Sequence, residues 1–120
     1  MSGNKTLDDW RALAATLEPP CRVFIDGDYA DAASGETFES VNPATGDVLA
    51  TVARAGAEDV DRAVAAARTA FADGRWSQLA PAERKRILLG FADLIDRDGD
   101  RLAALETLDM GKPIADSTSI

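Results

Sequence analysis

The feature that most constrains this chain is the order of its two hydrophobic periods. Alternating, strand-like patterning is confined to residues 22–53, and every later apolar pattern has the three-and-four spacing of a helix. Three strand-like runs qualify: Arg22–Tyr29, Thr37–Val41 and Asp47–Ala53. They suffice for a small antiparallel hairpin or meander, which is too little sheet to be stable alone. A complete parallel sheet would alternate strands with helices, and that alternation is missing. The elements therefore read as pieces that cover a sheet not encoded in this stretch.

Local signals fix the expected boundaries. Trp10, Leu13, Ala14 and Leu17 share one face of a leader helix expected over Asp8–Glu18, and Pro19-Pro20 end it. Asp26-Gly27 marks a tight turn after the Val23-Phe24-Ile25 run, and Asn42-Pro43-Ala44-Thr45-Gly46 a second turn. Glu58, Asp59 and Asp61 load the start of a helix with negative charge, which suits the positive end of its dipole. Val60, Val64, Ala67 and Phe71 form its apolar stripe, and Asp73-Gly74 ends it. Trp76 is expected to cover the edge of the core. Pro81 opens the next helix, with Ile87, Leu88, Phe91, Leu94 and Ile95 on one broad face. Asp98-Gly99 is expected to break the pattern, Asp98 capping a further helix that carries Leu102, Leu105 and Leu108. Gly111 and Pro113 are a stop signal. The domain expectation is a leader helix and linker over 1–21, followed by one incomplete unit over 22–120.

The chemical inventory excludes several function classes. The chain has no histidine, so the commonest general base and metal ligand is missing. Its single cysteine, Cys21, leaves no internal disulfide and follows two prolines in a linker, where it reads as an ordinary thiol. A formal charge of −8 argues against nucleic acid or an anionic membrane as partner. No signal-peptide core or membrane-length apolar run occurs, so the expected location is cytoplasmic. Gly-x-Gly-x-x-Gly, phosphate-loop and Cys/His metal spacings are all lacking. Glu58, Asp59 and Asp61 read as a solvated helix-start cluster, since no sequence feature isolates them from water as acid–base work would require.

Several stretches resemble one family in its own order and spacing. Val41-Asn42-Pro43-Ala44-Thr45-Gly46-Asp47 is similar to the V-N-P-A-T-G-E turn of aldehyde dehydrogenases, and Leu105-Glu106-Thr107-Leu108-Asp109-Met110-Gly111-Lys112-Pro113 to their L-E-T-L-D-x-G-K-P segment. Between them Asp59 to Arg68 and Phe71 resemble the D-V-D-x-A-V-x-A-A-R-x-A-F helix. Trp76, Pro81, Arg84 and Ala92-Asp93-Leu94-Ile95 match the next loop and helix. Phe24-Ile25-Asp26-Gly27 resembles the opening F-I-N/D-G-x-W strand and turn, with Tyr29 where tryptophan is common. The resemblance covers nearly everything after Cys21.

The resemblance implies an α/β fold, of which this chain is the N-terminal part of the NAD(P)-binding domain: short antiparallel strands, then helices, incomplete. It implies oxidation of an aldehyde to a carboxylic acid with NAD or NADP. In the family a cysteine thiolate attacks the aldehyde, a glutamate activates water, and an asparagine with a backbone N–H stabilises the oxyanion. All of these map downstream of Ile120, so no catalytic or cofactor-binding residue is assigned here and Cys21 is not the nucleophile. Many members also bind a structural monovalent cation, which maps to the Val41 carbonyl and Asp109, with Ser40 a possible neighbour. The alternative role for Asp109 is a cap or hydrogen bond at the Gly111 turn. The leader helix followed by a basic residue and the Phe-Ile strand resembles dehydrogenases of γ-glutamyl-γ-aminobutyraldehyde and related ω-amino aldehydes, hence polyamine catabolism, with a betaine-aldehyde type the nearby alternative. A homo-oligomeric parent, dimer or tetramer, is implied, while the 120-residue chain alone is expected to be inactive. The competing reading is a non-enzymatic interaction module or pseudogene product derived from that fold. Apolar stripes around Phe71, Phe91, Leu94 and Leu105 are expected to stay incompletely buried in the isolated chain.

Overall fold

The computed structural model describes residues 5–119. The element order is α1 (Leu7–Ala14), β1 (Val23–Ile25), β2 (Asp28–Ala30), β3 (Thr37–Val41), β4 (Val48–Ala53), α2 (Ala57–Ala72), α3 (Pro81–Met110) and α4 (Ile114–Ser117). The strands form two separate hairpins, β1–β2 and β3–β4, rather than one meander. Among the described residues no helix is long and apolar enough to cross a membrane.

The chain divides into two compact units. One comprises residues 20–39 and 51–91, the other residues 1–19, 40–50 and 92–120. β3, β4 and α3 contribute residues to both.

In the first unit β1 and β2 pair antiparallel, with Val23 opposite Ala30 and Phe24 opposite Tyr29. Asp26 and Gly27 both have positive φ, 54° and 90°, as a two-residue type I′ turn requires. The Phe24 and Tyr29 rings lie 4.9 Å apart and are exposed. α2 packs on β1. The main structural anchor here is Asp59, which is only 2% exposed. Its carboxylate accepts from the Gly56 N–H at 3.0 Å, capping α2, and from the Ala33 N–H at 3.0 Å, pinning the loop before β3. Arg62 Nη1 lies 3.2 Å away. The Gly56 and Ala33 N–H groups hold its carboxyl below the usual carboxylate range. The expectation of an open acidic cluster is therefore corrected at Asp59. The loop 31–36 folds back over the helix start, which chain-local patterning does not reveal.

In the second unit α1 is a short capped helix. The Thr6 hydroxyl accepts from the Asp9 N–H, and the Asp9 carboxylate accepts from the Thr6 N–H at 2.8 Å, a reciprocal capping box. α1 ends at Ala14 rather than Glu18. The Thr16 N–H and hydroxyl both donate to the Leu13 carbonyl, at 2.9 and 2.7 Å, turning the chain before the prolines exert their effect.

α3 is one uninterrupted helix, which corrects the expected break at Asp98-Gly99. Gly99 keeps a negative φ, and Asp98 pairs sideways with Arg97 at 2.6 Å instead of capping a new helix. A glycine inside a helix costs only about 1 kcal/mol relative to alanine, too little by itself to dictate a break. Ala103 and Ala104 are buried in its last third. Trp76 is 41% exposed. The Gly111/Pro113 stop signal lies just after the observed end of α3, and the chain then forms the single turn of α4.

Candidate cation site

The site is built from two turns in the same unit. The first is the 42–47 turn that closes the β3–β4 hairpin. The Asn42 side-chain oxygen accepts from the Ala44 N–H at 2.9 Å, an Asx turn that Pro43 reinforces by fixing φ. The Gly46 N–H donates to the Asn42 carbonyl at 2.8 Å, and the Asn42 N–H to the Asp47 carbonyl at 2.8 Å. Gly46, at φ 80°, supplies the left-handed step that completes the turn.

The second turn ends α3. The Gly111 N–H donates to the Thr107 carbonyl at 3.0 Å, and Gly111 sits at φ 74°. Lys112 Nζ reaches back to both Glu106 carboxylate oxygens at 3.2 Å. The Thr107 and Ser117 hydroxyls lie 3.1 Å apart, with Ser117 fully buried. These contacts fold α4 against the end of α3.

The two turns meet. A Cβ at Gly111 would lie 3.1 Å from Pro43 Cγ, so the Pro43 ring is seated closely against the glycine. Three residues before Pro43, the Ser40 hydroxyl donates to Asp109 Oδ1 at 2.7 Å. The Gly111 N–H is taken by the Thr107 carbonyl. Of the residues assigned from sequence, Ser40 and Asp109 are hydrogen-bonded. Val41 follows Ser40 at the end of β3, with its side chain exposed. A carboxylate, a main-chain carbonyl and a hydroxyl are hard oxygen donors carrying one negative charge. Oxygen donors of this kind suit a hard cation and not a soft transition metal. Among the described residues, no three His, Cys, Asp or Glu side chains gather into a metal-binding group.

Cys21 lies elsewhere, in the other unit. It lines an open cleft of about 350 Å³ beside the Arg22–Asp31 ion pair at 3.0 Å and Glu36. The Cys21 carbonyl accepts from the Ala53 N–H at 2.8 Å, tying the linker to β4. Sequence reasoning missed the Pro43–Gly111 contact, the Lys112–Glu106 pair and the buried Ser117. The first joins residues too far apart in sequence to be read from spacing, and Ser117 follows the helix stop in an unpatterned stretch.

Residues 29–119 match the aldehyde dehydrogenase family. This chain belongs to the aldehyde dehydrogenase family. It is 55% identical over 107 residues to the aminoacetaldehyde dehydrogenase of Pseudomonas aeruginosa, covering 89% of this chain and 22% of that one. Its fold matches the γ-glutamyl-γ-aminobutyraldehyde dehydrogenase of Burkholderia cenocepacia with a TM-score of 0.94 and 52% identity, over 97% of this chain and 24% of that one. It likewise matches an indole-3-acetaldehyde dehydrogenase of P. syringae in complex with NAD+, with a TM-score of 0.91 and 50% identity, over 94% and 23% of the two chains. The chain thus spans about a quarter of the length of these aldehyde dehydrogenases. The expected fold, short antiparallel strands followed by helices in an N-terminal part of the family's α/β architecture, is the one observed.

Proposed function

We propose that this chain is the N-terminal part of the cofactor-binding domain of an NAD(P)-dependent aldehyde dehydrogenase, residues 1–21 being its leader and linker and residues 22–120 its first structural portion. The observation that carries the reading is the interlock of two family motifs, Pro43 against Gly111 and Ser40 on Asp109. In the whole protein the reaction would convert an aldehyde to a carboxylic acid, with NAD or NADP, when bound, accepting the hydride. The residues described here would act as scaffold. The capped α2 and the 42–47 turn hold their segments in place, and no proton transfer is assigned to them.

The substrate class is proposed to be ω-amino aldehydes. The similarity to aminoacetaldehyde and γ-glutamyl-γ-aminobutyraldehyde dehydrogenases supports this reading, as does the leader helix. A cytoplasmic, homo-oligomeric enzyme of polyamine catabolism is the corresponding proposal for the whole protein. The Val41 carbonyl and Asp109, with Ser40 orienting the carboxylate, are proposed as ligands of a structural monovalent cation.

The test is steady-state kinetics on the polypeptide extended to the length of its relatives, with ω-amino, betaine-type and uncharged aldehydes and with NAD+ and NADP+ in turn. A higher kcat/KM for ω-amino aldehydes supports the substrate class. Equal or lower values for them would remove it while leaving the dehydrogenase reading intact. No aldehyde-dependent cofactor reduction with any of the panel would remove both.

A further inference from the structure

The leader helix α1 and the interior glycine of α3 are linked in a way that neither the family match nor the motif pair requires. Four residues of α3 in close succession, Asp96, Asp98, Gly99 and Asp100, are poor helix formers, and Gly99 is the weakest of them. The helix nevertheless runs unbroken from Pro81 to Met110. At this point Lys5 forms an ion pair with Asp100, the residue next to Gly99, and both side chains are about two-thirds buried. Lys5 does not reach there as a loose tail. The Thr6–Asp9 capping box fixes the backbone at its own C-terminal side, and its ammonium sits 5.4 Å from the Trp10 ring centroid on the same helix. The Trp10 ring and the cap together hold the cation against α3.

We propose that α1 is a strap. Lys5, set by the capping box and by Trp10, clamps α3 at Asp100 and keeps the helix straight through Gly99. The consequence reaches the end of the helix. Asp109 and Gly111 lie at the end of the segment that follows Gly99, so fraying at Gly99 would release Asp109 from Ser40 and Gly111 from Pro43. Lys5 is thus a positioning residue for Asp109, acting through the backbone of α3. A cation site is not needed for this, since the Ser40–Asp109 hydrogen bond stands on its own.

Glycine itself supplies the internal control. A Cβ at Gly99 would meet no heavy atom within 4 Å, and the residue's φ is negative. Gly99→Ala should therefore strengthen the helix at the point the strap supports, by an amount similar to what the strap contributes. Removal of the strap and stiffening of the helix should then cancel.

The experiment is hydrogen–deuterium exchange on the full chain, read separately over residues 97–110 and over α2. Lys5→Ala should speed exchange over 97–110 by about fivefold and leave α2 unchanged. Lys5→Arg should preserve wild-type exchange, because the guanidinium can make the same pair. Gly99→Ala should slow exchange over 97–110 by about fivefold, and K5A/G99A should return close to wild type. The proposal is overturned if Lys5→Ala leaves 97–110 unchanged, if it loosens α2 equally, if Gly99→Ala fails to rescue it, or if these amides are already unprotected in the wild-type chain.

Discussion

Alanine at two glycines should have opposite effects, and the geometry sets both signs. Gly111 sits at φ 74°, and an added Cβ would lie 3.1 Å from Pro43 Cγ and 3.9 Å from Pro43 Cβ. Holding a non-glycine residue in the left-handed region costs about 1–2 kcal/mol. The Pro43 ring must also give by a few tenths of an ångström, and the Asx turn at Asn42 and the proline's own fixed φ limit that movement. The combined cost is on the order of 2 kcal/mol. At Gly99 the φ is negative and no heavy atom lies within 4 Å of an added Cβ, so alanine should stabilise by about 0.5–1 kcal/mol. The sensitive probe is exchange at the Gly111 backbone amide position, which donates to the Thr107 carbonyl at 3.0 Å. Gly111→Ala should speed exchange there by roughly thirtyfold, since 1.4 kcal/mol corresponds to a factor of ten. Gly99→Ala should slow exchange in the surrounding helix. Unchanged protection in Gly111→Ala would refute the interlock of the two motifs, as the Pro43 ring would then not be seated against that turn.

Four further outcomes follow from the structure. Stability should fall on acidification: the folded-state pKa of Asp59 lies below its ordinary 3.8, so its contribution is complete above that value and is lost as pH drops through the folded pKa. Asp9, Asp73, Glu83 and Asp98 shift in the same direction, and an acid titration followed by circular dichroism should show a flat region above about pH 5 and a decline below pH 4. Asp59→Asn should flatten part of that decline and loosen both the 31–36 loop and the first turn of α2, read by hydrogen exchange. Phe71 and Phe91 are 74% and 62% exposed, so the isolated chain should bind a hydrophobic dye and associate with rising concentration. A sharp, concentration-independent transition of a monomer would contradict this. In the extended polypeptide, Asp109→Asn should weaken any rise in melting temperature produced by potassium or sodium, while Ser40→Ala should do so less.

Elements bounded by strong local chemistry were legible in the sequence. Asp26-Gly27 marks a tight turn, Pro81 the start of a helix, and Gly111 with Pro113 its stop, and each lies where its signal puts it. The Asn42–Gly46 turn was likewise legible, because Asn, Pro and Gly each supply a distinct piece of its geometry. The rest turned on hydrogen bonds and helix continuity that residue patterning does not encode. Asp98-Gly99 has the composition of a helix break, yet α3 continues through it. Thr16 took the Leu13 carbonyl and ended α1 early. Patterning alone puts Asp59 in a solvated cluster, because its second partner, the Ala33 N–H, is 26 residues away. The same limit applies at the Ser40–Asp109 contact. Ser40 and Asp109 are 69 residues apart, so their pairing came from the family resemblance and could not come from spacing.

The most direct test of the central reading compares two proteins, the purified 120-residue chain and the polypeptide extended to the length of its relatives. Both are assayed for NAD(P)+ reduction with ω-amino and simple aldehydes. Turnover by the extended protein and none by the short chain is the result expected from the proposed scaffold role of the residues described here. Turnover by the short chain, purified free of host dehydrogenases, would contradict the assignment of the catalytic groups to sequence beyond Ile120. An extended protein that turns over no aldehyde would contradict the dehydrogenase reading itself.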